Sequence, residues 1–383
     1  MKKVIILGAG LVGRPMALDL SKDDRFTVTV ADNSDEALHR VREKSPNILT
    51  VKKDLSNPAN VTDLVSNYDF VINAMPGFLG FQTARAILEA GKNSVCISFY
   101  EEDPFQLDAL AKANNVTMIM DCGIFPGMGS ALIMHVAQKL DRVERVNVYV
   151  GGLPVIREWP TEYKAVFSPL DVIEEYTRPA RYIENGQVVV RPALSDREYI
   201  FFPQVGTLEA FNTDGLRTLT RTLAAPNMKE KTLRYPGHAE KMEMLRALGF
   251  FSKEKRIQVN GTPISPLELT TQVLFPHWTL KPGEEDITVF KAIVEGTQDE
   301  TWVRYTIDLF DRYDPETDVT SMARTTGYTA TMALRMIHDG LYTRKGISPP
   351  EYMGQCPECV DYLLRGLRQR GVHWHITAER VDE

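Results

Sequence analysis

The opening stretch KKVIILGAGLVGRPMALDLSKD constrains the fold of this chain more than any other segment. A short β-branched run leads into Gly8-Ala9-Gly10-Leu11-Val12-Gly13, and a helix-like run follows. In that strand–turn–helix context, the three glycines have separate duties. Gly8 makes the tight turn, Gly10 lets a pyrophosphate approach the backbone, and Gly13 lets helix and strand pack closely. The free N–H groups of the helix start, including those near Leu11 and Val12, then face the phosphates. A second strand, FTVTVAD, ends at Asp32, 22 residues beyond Gly10. An acidic side chain there takes ribose hydroxyls and repels a 2′-phosphate. Asn33 follows in place of a base, so the expected cofactor is NAD.

The alternation continues through PNILTVKKDLSN, YDFVINAMPGF, NSVCISFYEED and VTMIMDCG, with helix-like runs between. This predicts a doubly wound, Rossmann-type parallel α/β sheet. Ligands in such sheets lie beyond the carboxyl ends of the strands. The crevice therefore draws in Asp54, Leu55, Asn73, Ala74, Met75, Pro76 and Ser98 for the cofactor, and Tyr100 and Asp121 toward the reacting centre. Next comes GIFPGMG, whose Pro126 and glycines set a rigid turn and whose Phe125 forms an apolar wall. Its amides are expected to face the nicotinamide.

After residue 140 the texture changes to strand-like runs with few helices, which predicts an α+β substrate and oligomerisation domain with a mixed sheet. The expected boundaries are 1–122 for the dinucleotide domain, completed by a helical segment near 320–345, then 123–319 and a helix–strand extension at 346–383. Polar residues cluster in TEYKAVFSP (Tyr163, Lys164), GTLEAFNTDG (Glu209), RYPGHAEKM (Arg234, His238) and SMARTTGYTA (Arg324, Thr325). The 44 basic and 51 acidic residues give a formal charge of −7 with no long basic run, which argues against nucleic acid and membrane as partners. Glycines and charges interrupt the apolar start, and no run reaches membrane-spanning length, so a cytoplasmic protein is expected. Four cysteines form no disulfide framework. Cys356-x-x-Cys359 with His373 and His375 lacks the usual zinc spacing, so no metal is expected.

Taken in order, GAGLVG, GIFPGM, YVGGLPV, EYKAVFS, YTRPARYIENG, GTLEAFNTDG, RYPGHAEK and SMARTTGYT resemble the saccharopine dehydrogenase-like superfamily over nearly the whole chain, most closely the lysine 6-dehydrogenases. That resemblance implies NAD-linked oxidation of an amine or amino acid at the lysine ε-carbon, giving 2-aminoadipate 6-semialdehyde and ammonia, and a homodimer or homotetramer. Saccharopine-forming relatives carry acidic residues in the loop after the sixth strand and an arginine in the segment matching Asn212–Asp214. Here Phe125, Gly129 and Thr213 stand there instead, so a second substrate carboxylate lacks those partners. The alternatives are a saccharopine- or carboxynorspermidine-type NAD(P) reductase and a dinucleotide sensor without turnover.

Hydride leaves the carbon only when the amine is unprotonated, so a base is needed near neutrality. His238 is the expected base, Glu209 a proton partner or ammonium holder, and Asp121 a second acid–base group. Arg324 or Arg234 would grip a substrate carboxylate in bidentate fashion, Lys164 as a point charge, with Tyr100, Phe125, Tyr163 and Thr325 lining the substrate.

Overall fold

The computed structural model describes residues 1–281 and 283–381. They divide into two compact units, residues 1–139 with 322–374 and residues 140–321 with those from 375 on. The first unit begins with six strands: β1 (Lys2–Leu7), β2 (Phe26–Asp32), β3 (Leu49–Lys52), β4 (Phe70–Asn73), β5 (Asn93–Cys96) and β6 (Thr117–Ile119). Every pairing among them is parallel, with β1 between β2 and β4. β1 from Val4 to Leu7 and β4 from Phe70 to Ile72 are buried and wholly apolar because helices cover both faces of a parallel sheet. Leu7, Val71, Cys96 and Met118 lie in one core cluster with Phe81, Ile87 and Tyr100.

The second unit holds β7 (Arg142–Pro154), β8 (Ala180–Glu184), β9 (Gln187–Arg191), β10 (Glu198–Phe202), β11 (Gly206–Asn212), β12 (Asn227–Arg234), the hairpin β13 (Ile257–Val259) and β14 (Thr262–Ile264), then β15 (Asp286–Gln298) and β16 (Thr301–Arg312). β7 is its axis, pairing parallel with β12 and antiparallel with β15, so the sheet is mixed. β12 buries alternate residues near its start and every residue from Glu230 onward. It therefore carries charged side chains into the interior.

Two late strands complete the sheets. β17 (Gly346–Ser348) pairs parallel with β6 as the seventh strand of the first unit, and β18 (Trp374–Arg380) follows β16 in the nine-stranded sheet. The expected boundaries change accordingly. The first unit runs on past residue 122 to 139, because the helix Met128–Ala137 packs tightly within it. A Cβ on Gly354, in the helix Pro350–Gly354, would sit 2.1 Å from the Ala131 carbonyl oxygen. Residues 346–374 are likewise no separate extension, since β17 hydrogen-bonds along β6.

Candidate functional site

At the carboxyl end of β1 the chain turns through Gly8, whose φ of +108° favours glycine. A Cβ there would lie 2.7 Å from the Ala74 carbonyl oxygen, and one on Gly13 would lie 2.0 Å from that of Gly8. A Cβ on Gly10 would meet nothing within 4 Å. Two glycines thus close the turn against β4 and the helix Gly13–Leu20, and the third leaves an open face. Leu11 is exposed and Val12 half-buried beside that face. Asp32, at the end of β2, accepts from Ala9 N at 2.7 Å and from Ser34 N at 2.8 Å. One carboxylate thereby ties the turn to the second strand, while Asn33 beside it is exposed. This geometry fits a dinucleotide: an open backbone face for the pyrophosphate and a fixed carboxylate at the carboxyl end of the neighbouring strand.

The loop after β4 is held from below. The Asn73 amide donates to Gly80 O at 3.0 Å, its Oδ1 accepts from Met75 N at 3.2 Å, and Ser98 Oγ donates to Met75 O at 2.6 Å. Ala74 through Pro76 are thereby fixed. Asp54 is exposed and accepts from Ser56 N at 2.9 Å, which shapes its own turn. Leu55 corrects the sequence reading, because it is buried in the core rather than turned toward a cofactor. Tyr100 does the same: it is 1% exposed, packs edge-on against Phe81 and donates to Met120 Sδ.

Asp121 follows β6 with a left-handed φ of +48° and is buried. The loop beyond it closes on itself. Gly123 N bonds Pro126 O at 3.1 Å, and Met128 N and Gly129 N bond Gly123 O and Ile124 O at 2.9 Å each. Gly127, with φ +145°, has no room for a Cβ, which would lie 1.9 Å from Gly123 O. These amides are spent inside the loop and do not point at a ligand, which corrects the expectation made of them. Phe125 stays half-exposed at the tip. Arg324 is buried in the same unit and donates to Arg370 O at 3.1 Å, and Thr325 donates within its own helix to Met322 O. Thr325 is thereby tied within its own helix and is no substrate donor, while Arg324 spends one terminal nitrogen on a backbone carbonyl.

The remaining polar residues lie in the second unit, where the structure gives them structural partners. His238 starts the helix His238–Ala247 and is 1% exposed. Its Nδ1 donates to Thr161 O at 2.8 Å, so Nε2 accepts from the Tyr176 hydroxyl at 2.9 Å. Burial, aided by the charge of Arg234, pulls its pKa down to about 3. A neutral ring with both nitrogens engaged is no base near neutrality. Glu209 accepts from Gly237 N at 3.0 Å and Ala239 N at 3.2 Å, so it caps the start of that helix instead of handling a proton. Arg234 donates to Glu175 at 2.6 Å and stacks on Tyr163 at 4.5 Å. Burial opposes its charge, and Tyr163, Tyr176 and Glu175 outweigh that. Tyr163 in turn meets Trp278 edge-on. Lys164 is buried and pairs with Glu158 at 2.8 Å and Glu284 at 3.7 Å. Arg234 and Lys164 are therefore internal ion-pair members, and Tyr163 is a core ring.

Sequence reading missed Glu175 and Tyr176 in the last turn of the helix Pro169–Thr177, although Tyr176 opens the quoted YTRPARYIENG and Glu175 directly precedes it. It also missed Glu230, on β12. Glu230 accepts from Thr213 Oγ1 at 2.7 Å and Gly215 N at 2.9 Å, and Gly215 has no room for a Cβ beside it. Burial first raises its pKa to about 8. The pair Cys356 and Cys359 heads the helix Pro357–Arg368, where Cys356 Sγ accepts from Cys359 N. Among the described residues, no group of three or more His, Cys, Asp or Glu side chains is placed to hold a metal, and no helix is long and apolar enough to cross a membrane.

Residues 4–119 match the saccharopine dehydrogenase NADP binding domain, and residues 123–372 match the saccharopine dehydrogenase C-terminal domain. The chain belongs to the saccharopine dehydrogenase family. It is 26% identical to the mitochondrial alpha-aminoadipic semialdehyde synthase of Mus musculus over 91% of its own length and 45% of that protein's. It therefore spans less than half of that relative. It is 22% identical to the NADP(+), L-glutamate-forming saccharopine dehydrogenase of Schizosaccharomyces pombe, covering 96% of this chain and 98% of that one. Its fold matches the solved saccharopine dehydrogenase (L-Glu forming) of Saccharomyces cerevisiae with a TM-score of 0.80 at 18% identity, covering 99% and 100% of the two chains. Residues 4–119, which carry β1 to β6, are accordingly the family's dinucleotide-binding domain.

Proposed function

We propose that this chain is an oxidoreductase that opens the C–N bond of a lysine-derived secondary amine of the saccharopine type, with NAD as hydride acceptor. The observation that carries the reading is the Asp32 carboxylate fixed 2.7 Å from Ala9 N, beside the open face at Gly10, in a chain of this family. The names of its relatives support the substrate class. When bound, the nicotinamide supplies a hydride acceptor. The protein's part is to hold the ribose through Asp32, keep Gly8 to Gly13 clear for the pyrophosphate, and fix the Ala74–Pro76 loop through Asn73 and Ser98. Of the three groups read as acid–base candidates, His238 and Glu209 are consumed structurally. Asp121 is the one we assign to move the proton of the amine and guide water onto the oxidised carbon.

A second reading, oxidative deamination of the ε-amine of L-lysine itself, is favoured by Thr213. Its hydroxyl is buried on Glu230 and Thr232, so this position offers no cation to a second substrate carboxylate. The two separate in one assay that follows NADH while glutamate and ammonia are measured. Saccharopine is expected to yield NADH with glutamate. NADH with ammonia from L-lysine would establish the second reading, and no NADH from saccharopine, lysine, ornithine or diamines would overturn both.

Cofactor choice has its own test. Asp32→Ala removes both the ribose acceptor and the charge that opposes a 2′-phosphate. NAD affinity is expected to fall by about 10- to 100-fold, the worth of one or two charge-assisted hydrogen bonds, and the gap to NADP to narrow. An unchanged NAD/NADP ratio of kcat/KM would contradict this role.

A further inference from the structure

The first unit contains a polar cavity of about 250 Å³, lined among others by Arg25, Arg335, Tyr362, Arg365, Gln369 and Arg370. It lies at the amino end of β2, whereas Asp32 and the dinucleotide cradle lie at the carboxyl end. The seven residues of that strand separate them, a span of about 20 Å. The proposed reaction makes no use of it.

The charges around this cavity are ordered unequally. Arg335 is 4% exposed and is held by Asp19 at 2.7 Å and Asp23 at 2.9 Å. Arg370 bonds the other oxygen of Asp19 at 2.7 Å and donates to Gly366 O at 3.0 Å. Arg25 pairs with Asp23 at 2.8 Å and with Asp339 at 2.7 Å. Three carboxylates thus orient three guanidinium groups, and their charges balance. Asp339 also accepts from the Tyr362 hydroxyl at 2.6 Å, so the acids are saturated with donors. Two helix carboxyl ends are answered here as well, since Arg335 donates to Asp19 O in the last turn of Gly13–Leu20 and Arg370 to Gly366 O in the last turn of Pro357–Arg368. Arg365, in the last turn of Pro357–Arg368, is the surplus: it faces the cavity with no ion-pair partner among the described residues. The result is a local positive excess on a chain of net charge −7.

A guanidinium offers a rigid fork of donors that matches oxyanions. Neighbouring arginines already locked by carboxylates lose little freedom on binding. We propose that this cavity binds a small polyvalent oxyanion, a phosphate or a dicarboxylate, with Arg365 as its charge partner and Arg370 and Gln369 as further donors.

The test compares the full chain with Arg365→Ala and Gln369→Ala by thermal unfolding, titrating orthophosphate in one arm and glutarate in the other against chloride at matched ionic strength. Phosphate strengthens folding generally by exclusion from the surface, so the difference between the proteins is the readout. The expected result is a saturable rise in Tm in the unaltered protein, with half-effect at about 1 mM, weakened roughly tenfold in Arg365→Ala. The arm that saturates identifies the anion class. NAD binding by Arg365→Ala is expected to stay within about twofold, as for a distant, independent site. No saturable rise in either arm, or the same rise in Arg365→Ala, would overturn the proposal. Because Arg365 is exposed, its loss leaves the fold intact, and Gln369→Ala checks the same cavity without removing charge.

Discussion

Asp121→Asn is expected to lower kcat by about 10²- to 10⁴-fold, the usual worth of a positioned acid–base group, with little change in NAD affinity. The substitution is chosen for its backbone. Asp121 sits at φ +48°, a left-handed conformation that Asn tolerates better than other non-glycine residues. Its side chain is almost the same size, so the buried position keeps its packing. What changes is the capacity to take a proton. A strained residue just past the end of β6 is where such a sheet places its reacting groups, and stored strain there is common at functional sites. Turnover at saturating substrate is the measurement. If kcat holds while the melting temperature drops, Asp121 is structural and the proton acceptor lies elsewhere.

The second large effect concerns stability, to which Glu230 and His238 together should contribute a plateau between about pH 4.5 and 6.5 and a fall on either side. Glu230 has a folded pKa raised from 4.5 to about 8, first by burial. Its contribution is therefore complete below pH 4.5 and is lost as pH rises through 8. The loss is on the order of 5 kcal/mol when fully expressed, from the size of the shift. His238 runs the other way. Its folded pKa is lowered from 6.5 to about 3, so the unfolded chain binds more protons below pH 6.5 and stability falls as pH drops toward 3. Between 4.5 and 6.5 the two slopes oppose and nearly cancel. Glu230→Gln keeps the volume and can still accept from Thr213 and Gly215, and it should flatten the alkaline side. Urea midpoints from pH 4 to 9 check this, and an alkaline slope unaltered in Glu230→Gln would dismiss Glu230 as its source.

The cradle was legible in the sequence because its parts are close along the chain and their chemistry is local. Gly8, Gly10 and Gly13 fall within six positions, and each is required by backbone geometry, which admits few other residue types. Asp32 lies one strand away at a spacing set by the βαβ unit itself. The order of parallel strands was legible for the same reason: apolar runs bounded by helices leave few alternatives.

The polar residues of the second unit were not legible in this way. His238 looks like a base in sequence because its type titrates near neutrality, yet its role depends on Tyr176, 62 residues earlier, and on the Thr161 carbonyl. Arg234 looks like a carboxylate grip until Glu175, 59 residues away, occupies it. Glu209 caps a helix that starts 29 positions later, and Glu230 gives no signal beyond an inward place on β12.

The parallel sheet and the dinucleotide cradle thus follow from local spacing and periodicity, and the family from the likeness of an ordered series of motifs. Whether a buried acid, base or cation was available for chemistry followed from long-range packing. The reason is energetic: a charge or donor taken out of water must find a partner, and which partner it finds is set by the folded arrangement of distant segments.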